Sequence, residues 1–283
     1  MRLGHNMYSL NIYKNYKNTL VENSKALGNV STGMKLNSAK DNPNKIGQSD
    51  NLKLQILARN AAQSNIQDTT SMLQTFDGAL QEMNNNISRL KQLAVYSANE
   101  TNTDDDRVNI QKEIDQILNS IDDLANNTDF NGIPLSKSAG GTLTDPENPV
   151  ADKYSTIGDL ANEKVKLPFY DVTNKGLGLE GLDVTTRNNA SSSLEKIEKA
   201  INIVSRIRSK YGSLQSRLDE TYTSMDDINQ NFSSAQSSIA DADIAEEMLE
   251  YARTNILYQS SISLMAQSNK FPQDALNILA NVR

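Results

Sequence analysis

The side chains that do most biological chemistry are scarce in this sequence. There is no cysteine and a single histidine, His5, in the opening "MRLGHNMYSL". Thiolate nucleophiles, disulfides and sulfur-ligated zinc are therefore excluded, and a triad in which histidine relays a proton between two other groups is nearly so, since His5 alone could serve it. Carboxylates remain. Asp104, Asp105 and Asp106 stand together in "SRLKQLAVYSANETNTDDDR", and "TDPENP" at Thr144–Pro149 offers two more. The aspartate triplet lacks the alternating oxygen donors and the glycine of a calcium loop. It directly follows Thr103, and acidic side chains after a Thr suit the first turn of a helix, where they face exposed amide groups. We read it as a cap. No catalytic, metal-binding or cofactor-binding residue is expected.

Charge narrows the partners. Acidic residues outnumber basic ones by 35 to 28, for a formal charge of −7 over 283 residues. Lysines are interspersed among the acids, so there is no basic field for a phosphate backbone and no nucleic-acid partner is expected. No apolar run reaches the length of a bilayer span, and the first fifteen residues hold no hydrophobic run resembling a cleaved secretory signal.

What the chain has in quantity is helical rhythm. Ile66, Thr69, Leu73, Phe76, Leu80, Met83, Ile87, Leu90 and Ala94 step by three and four, the spacing of one face of a coiled-coil helix. Leu194, Ile197, Ile201, Val204, Arg208, Tyr211, Leu214, Leu218, Thr221, Met225, Ile228, Phe232, Ala235 and Ile239 continue the pattern, with Arg208 the polar intruder. Its head is expected in water with its stem lying on the rod, or else bonded to an acid from a neighbouring helix or subunit. A shorter stripe carries Ile110, Ile114, Ile117, Ile121 and Leu124. Three stripes of one period joined by polar corners predict a mostly α protein, an elongated bundle with coiled-coil-like packing.

Both ends add a stripe of their own. Tyr13, Leu20, Leu27 and Met34 recur every seven residues, and Ile244, Met248, Ala252 and Ile256 form one side of a second helix, with Pro272 expected to open a further one. Such helices are marginal alone in water, so the terminal pair is expected to pack together or to wait for neighbouring copies. Leu20, Leu27, Met34, Ala252 and Ile256 are the candidate packing residues. Between Asn131 and Asn189 the texture turns to Gly, Pro, Ser and Thr, which predicts a small β-rich or irregular insert. "EKVKLPFYDV" and "GLGLEGLDVTT" read there as short strands. The expected organisation is 1–40 terminal helix, 41–130 rod helices, 131–190 insert, 191–240 long rod helix and 241–283 terminal helix.

Several motifs are specific. "HNMYSLNIYKN" is similar to the opening Asn/Met/Ser/Leu/Asn pattern of the bacterial flagellins, and "LGNVSTGMKLNSAKDNP" to their "LSSGLRINSAKDD" segment. "RLKQLAVYSANETNTDDDR" with "IQKEIDQILNSIDDLANNTDFNG", then "SSAQSSIADADIAEEM" and "ILYQSSISLMAQSNKFPQDALNIL", resemble the central and C-terminal signatures of that family. The resemblance covers roughly residues 1–135 and 176–283. It implies an extracellular helical polymer for swimming, with the terminal helices as an inner tube and the rod helices as the shell around it. It also implies passage through a flagellar export apparatus with a chaperone, and contact with junction and cap proteins. An animal innate immune receptor that recognises free subunits is a further implied partner. Matched residue by residue, the shared subunit and receptor contact falls on Arg89 and Leu93, with Glu113 as a supporting acid. Lys91 and Gln92 replace the second arginine and the glutamate usual in that motif. Arg89 and Leu93 are expected to form an exposed pair, and Leu90 to face the core. Where family members continue "DDAAGLAI", this chain has "DNPNKIGQSD", which leans toward the related hook–filament junction proteins, whereas "MAQSNKFPQDAL" pulls back toward the flagellins; the insert lacks the "GAN" turn that many flagellins place in their hairpin. Some relatives carry a zinc "HExxH" peptidase in the insert; one histidine closes that option here.

Overall fold

The computed structural model describes residues 6–136, 149, 151–158 and 162–281. His5 and Thr144–Glu147, weighed above, lie outside the described residues. Five helices carry the fold: α1 (Met7–Thr32), α2 (Pro43–Ser97), α3 (Asp104–Asn127), α4 (Arg187–Ala240) and α5 (Ile244–Asn281). Two antiparallel hairpins lie between α3 and α4, β1 (Asp129–Phe130) with β2 (Ile133–Pro134) and β3 (Ala151–Thr156) with β4 (Lys164–Phe169). Contacts divide the chain into two compact units, Leu57–Asn229 and a second formed by Met1–Ile56 with Gln230–Arg283.

In the Leu57–Asn229 unit the expected stripes are the core. Ile66, Leu73, Phe76, Leu80, Met83, Ile87 and Leu90 of α2 are buried with Ile114 and Ile121 of α3 and Ile197, Val204, Tyr211 and Leu218 of α4. Arg208 takes the acid-paired alternative rather than the favoured solvated one. Its Nε donates to Asp77 Oδ1 at 2.9 Å, and a second guanidinium nitrogen to Oδ2 at 3.3 Å. The neighbouring carboxylate holds its pKa above the ordinary arginine value. An acid on the facing helix, 131 positions away, was not visible from the arginine's own stripe. Ile207 takes the fully buried place beside it.

The corner between α2 and α3 is built as its residues suggest. Thr103 Oγ1 accepts from the Asp106 N–H, and the Asp106 carboxylate accepts from the Thr103 N–H at 3.1 Å, a reciprocal capping box. The Thr103 hydroxyl, donating to the Asp106 carboxylate at 2.6 Å, and then the Thr103 N–H hold that carboxyl below its ordinary range. Arg107 reaches back to the carbonyls of Ser97 and Asn99, both at 3.1 Å, at the C-terminal end of α2 where a cation is favoured.

The insert differs from its sequence reading. β4 matches the "EKVKLPFYDV" strand, but its partner is Ala151–Thr156, which lay in the segment read as loops. "GLGLEGLDVTT" is not a strand. It runs as successive turns with Gly178 and Gly181 at positive φ, yet Leu177, Leu179, Leu182 and Val184 are buried in the common core. Gln111 of α3 satisfies this backbone from the side, its amide donating to Leu182 O and its carbonyl accepting from Val184 N. Asp122 likewise accepts from Asn174 N at 2.8 Å. At Gly176 a Cβ would stand 2.1 Å from the Asp171 carbonyl oxygen, so only glycine fits. The insert lies along the rod helices and extends their core. Tyr211 of α4 clasps it, donating its hydroxyl to Pro168 O at 2.6 Å.

Candidate assembly surface

The unit made from the two chain ends pairs α1 with α5 in antiparallel fashion. Asn6 meets Ser268, Tyr16 stacks on Tyr258, Asn23 meets Thr254, and Asn29 meets Glu247. Backbone bonds also tie the turns that follow α1 and α4, from Lys35 N to Ala240 O and from Ala242 N to Gly33 O, both at 2.9 Å. Gly33 ends α1 in the left-handed conformation, its N–H bonding to Asn29 O. Asn42 caps α2 by accepting from Lys45 N, and Pro43 sits at the first helical position, where its missing N–H costs nothing. The departure "DNP" is thus a built helix start.

The seam is not the one the apolar heptads suggest. The side chains that α1 turns inward are Ile12, Tyr16, Thr19, Asn23, Ala26 and Val30, in steps of four and three. Those of α5 are Glu247, Tyr251, Thr254, Tyr258, Ser261, Met265 and Ser268, in the same rhythm. Small and polar residues let Cα atoms of the two helices come within 8 Å. The expected packing residues face the other way: Leu20 is 42% exposed, Leu27 51%, Met34 43% and Ile256 67%, and Ala252 is also exposed. Tyr8, Val21, Leu249 and Phe271, outside the expected set, are more exposed still. None of these side chains closes the intramolecular pair. Two bare apolar faces flank a polar seam. α5 also runs unbroken through Pro272, which the sequence suggested as a helix start.

On the Leu57–Asn229 unit, Arg89 donates to Glu113 Oε1 from Nε at 3.1 Å and from a terminal nitrogen at 2.7 Å, and to Gln92 at 3.4 Å. Arg89 and Glu113, which the resemblance placed in one contact, are thus bonded to each other. The expected exposed pair with Leu93 does not form, because Leu93 is only 6% exposed and belongs to the core cluster with Leu90. A residue four positions on from Arg89 lies one turn away, but the buried arc of this helix is wide enough to take it in. The bare apolar groups on this end of α2 are Val95 and Tyr96, which line a groove with Ser88, Lys91 and Gln92, and Val108 is bare on α3. The sequence did carry that signal, since Val95 and Tyr96 fall off the Leu90–Ala94 stripe. Lys91 bonds Glu198 at 2.9 Å.

Among the described residues no three histidine or carboxylate side chains converge to hold a metal, and no helix is long and apolar enough to cross a membrane. Long paired helices, a polar seam joining the chain ends and bare apolar stripes beside it define a filament-forming structural subunit. Residues 3–137 match the bacterial flagellin N-terminal helical region, and residues 194–279 the C-terminal helical region. A flagellin of Halalkalibacterium halodurans is 33% identical over 281 residues, covering 99% of this chain and all of the relative. A flagellin of Bacillus subtilis is 32% identical and the flagellar filament 30.7 kDa core protein of Treponema maltophilum 29%, each with the same coverage. The solved FlgL of Bacillus cereus shares the fold at 18% identity, with a TM-score of 0.51 over 66% of this chain and 99% of that one. The chain belongs to the bacterial flagellin family. It is a non-catalytic, extracellular structural subunit of the flagellar filament.

Proposed function

We propose that copies of this chain pack on one another through the bare faces of α1 and α5, carrying Leu20, Leu27 and Met34 on one helix and Ile256 with Leu249 on the other. The observation that carries this is the inversion of the terminal pair, with polar side chains inside the seam and large apolar ones outside it. Burying those faces removes apolar area from water only when another copy arrives. In this reading residues 1–40 and 241–283 form the inner layer of the filament. Residues 41–130 and 191–240 form its shell, and 131–190 the outer insert. The export apparatus with its chaperone, and the junction and cap proteins, are the partners that go with that role.

The test is growth on filament seeds. The full chain is expected to elongate them, whereas Leu27→Asp and Ile256→Asp leave the Leu57–Asn229 unit folded and stop elongation. A chain cut before about Lys35 and after about Ile239 is expected to stay soluble, helical and monomeric. Elongation by the cut chain or by both aspartate variants sinks the proposal. Capping of existing ends without growth by the full chain would favour a junction role instead.

We also propose that the patch of Arg89 and Glu113, with Val95 and Tyr96 beside it, is a contact for the next subunit and for the innate immune receptor on free chains. Leu93 supports this patch from beneath. Arg89→Ala is expected to lower both filament growth and receptor activation, with Val95→Ser doing the same and circular dichroism unchanged. Two unaltered readouts would leave the corner with only the task of turning the chain.

A further inference from the structure

The polar seam of α1 and α5 contains three asparagines, each reaching across to the opposite helix. Asn23 Nδ2 donates to Thr254 Oγ1 at 3.0 Å and to Tyr251 O at 3.3 Å. Asn29 Nδ2 donates to Glu247 Oε1 at 2.9 Å, and Asn29 Oδ1 accepts from Asn37 at 3.0 Å. Asn29 and Thr254 are buried, so these bonds replace water rather than supplement it. The third asparagine explains why a proline sits inside α5. Pro272 has no N–H, so the carbonyl four residues before it, that of Ser268, loses its helical donor. Asn6 Nδ2 donates to that same carbonyl at 2.9 Å and to Ser268 Oγ at 3.0 Å, while Asn6 Oδ1 caps α1 by accepting from Ser9 N. An amide on one helix thus fits a carbonyl that only one residue on the other can offer.

We infer that Asn6, Asn23 and Asn29, read against the Ser268 carbonyl, Thr254 and Glu247, select the partner and register of the terminal helices. The apolar side chains cannot do this. Stripes that repeat every seven residues match equally well after a slip of one heptad, and they match a stripe on another copy as readily as one on the same chain. A slip by seven puts Tyr16 opposite Tyr251 or Met265 instead of Tyr258. It also leaves the Ser268 carbonyl without a donor and Asn23 without Thr254. Each orphaned buried polar group then opposes the slipped state. The polar seam reserves α1 for α5 of the same chain and turns both apolar faces outward. This rests on the proposed packing of copies only for what those faces meet, since the pairing is a property of each chain.

The chain has no cysteine, so introduced pairs report register without background. Tyr16→Cys with Tyr258→Cys samples the pairing of the structure, where the two rings lie 5.4 Å apart. Tyr16→Cys with Tyr251→Cys or with Met265→Cys samples the two slips. Intramolecular cross-linking of full-length chains is read in the free chain and, with the labelled chain as a minority among unaltered ones, in the product of seeded growth. The in-register pair is expected to close preferentially. Adding Asn23→Leu, Thr254→Val and Pro272→Ala is expected to cut its preference over the slipped pairs at least about ten-fold, as loss of a buried polar contact does for coiled-coil register. These substitutions favour helix and apolar burial, so helix content measured on the same samples is expected to hold or rise. A preference unchanged by the three substitutions overturns the inference, whether or not seeds elongate. Failure of unaltered chains to elongate seeds counts against the proposed packing alone.

Discussion

Tyr211 joins the long helix α4 to the insert, and its hydroxyl can be removed without disturbing the ring. The ring meets Phe76 edge-on at 5.4 Å between centroids and Tyr170 at 6.0 Å, and the side chain is buried. Its hydroxyl donates to Pro168 O at 2.6 Å. Tyr211→Phe keeps both ring contacts and strands that carbonyl, a loss of about 1–3 kcal/mol. For a unit of the length Leu57–Asn229, each kcal/mol lowers Tm by about 2–4 °C. Tyr211→Leu adds the two aromatic pairs, about 0.5–1.5 kcal/mol each, and a cavity besides. A second signature comes from alkaline titration. Burial raises the Tyr211 pKa far above the ordinary phenol value. The folded state therefore holds this proton while the unfolded chain releases it above about pH 10. The contribution is complete below that pH and falls as pH rises, by about 1.4 kcal/mol per pH unit for one proton. Urea unfolding of the parent and of Tyr211→Phe between neutral pH and pH 11 measures both effects. Equal stability within about 0.5 kcal/mol at neutral pH, together with equal alkaline slopes, would refute the clasp.

Leu80→Ala and Leu218→Ala, both at fully buried positions, are each expected to cost about 2–5 kcal/mol in thermal unfolding. Thr69→Ala is expected to cost about 1 kcal/mol, because its hydroxyl bonds Asn65 O and Ser155 Oγ across to the hairpin; equal losses at all three sites would mean the stripe is misphased. Arg208→Met leaves Asp77 partly buried without its cation and is expected to destabilise by about 1 kcal/mol, with Asp77→Asn recovering part of the loss in a double-mutant cycle. Thr103→Ala removes the hydroxyl bond, the larger cause of the depressed Asp106 pKa, and leaves the bond from the backbone N–H. The carboxylate's support of the α3 start is complete above the ordinary Asp value of about 3.9 and is lost as pH falls through the lowered value. Amide exchange at residues 104–107 is expected to show that acid dependence more strongly in the parent than in the variant.

The rod was legible because its buried faces are also its most apolar ones. Period alone places Leu80 opposite α4, and the acidic run after Thr103 announces the start of α3. The terminal pair was legible as a pair, but its seam was not, for a physical reason. Its most apolar heptad, Tyr13 to Met34, is real, but the intramolecular seam uses the neighbouring heptad of Tyr16, Asn23 and Val30. A stripe on one sequence does not say whether its own chain or a copy will cover it. In the insert, alternating leucines and glycines looked like a strand. The positive φ at Gly178 and Gly181 folds them into turns instead, while the leucines still reach the core. Asp77 and Arg208 could be paired only once the facing helices were set in register.

Because α1 and α5 come from opposite ends of the polypeptide, their union has an order in time. Asn6 and Ser268 are 262 positions apart, a very long loop to close directly, and closure entropy grows with the logarithm of that length. Once Asn60 has met Asn229 within the Leu57–Asn229 unit, most of that loop is already closed and only its two flanks must be gathered. Closure of the central unit leaves only the flanks to cross, so the central unit is expected to fold before the ends zip. A chain lacking Asn6 or Ser268 forfeits a rung that the opposite helix also needs. Completion of the seam thus requires, at the level of single molecules, that α1 and α5 both be present.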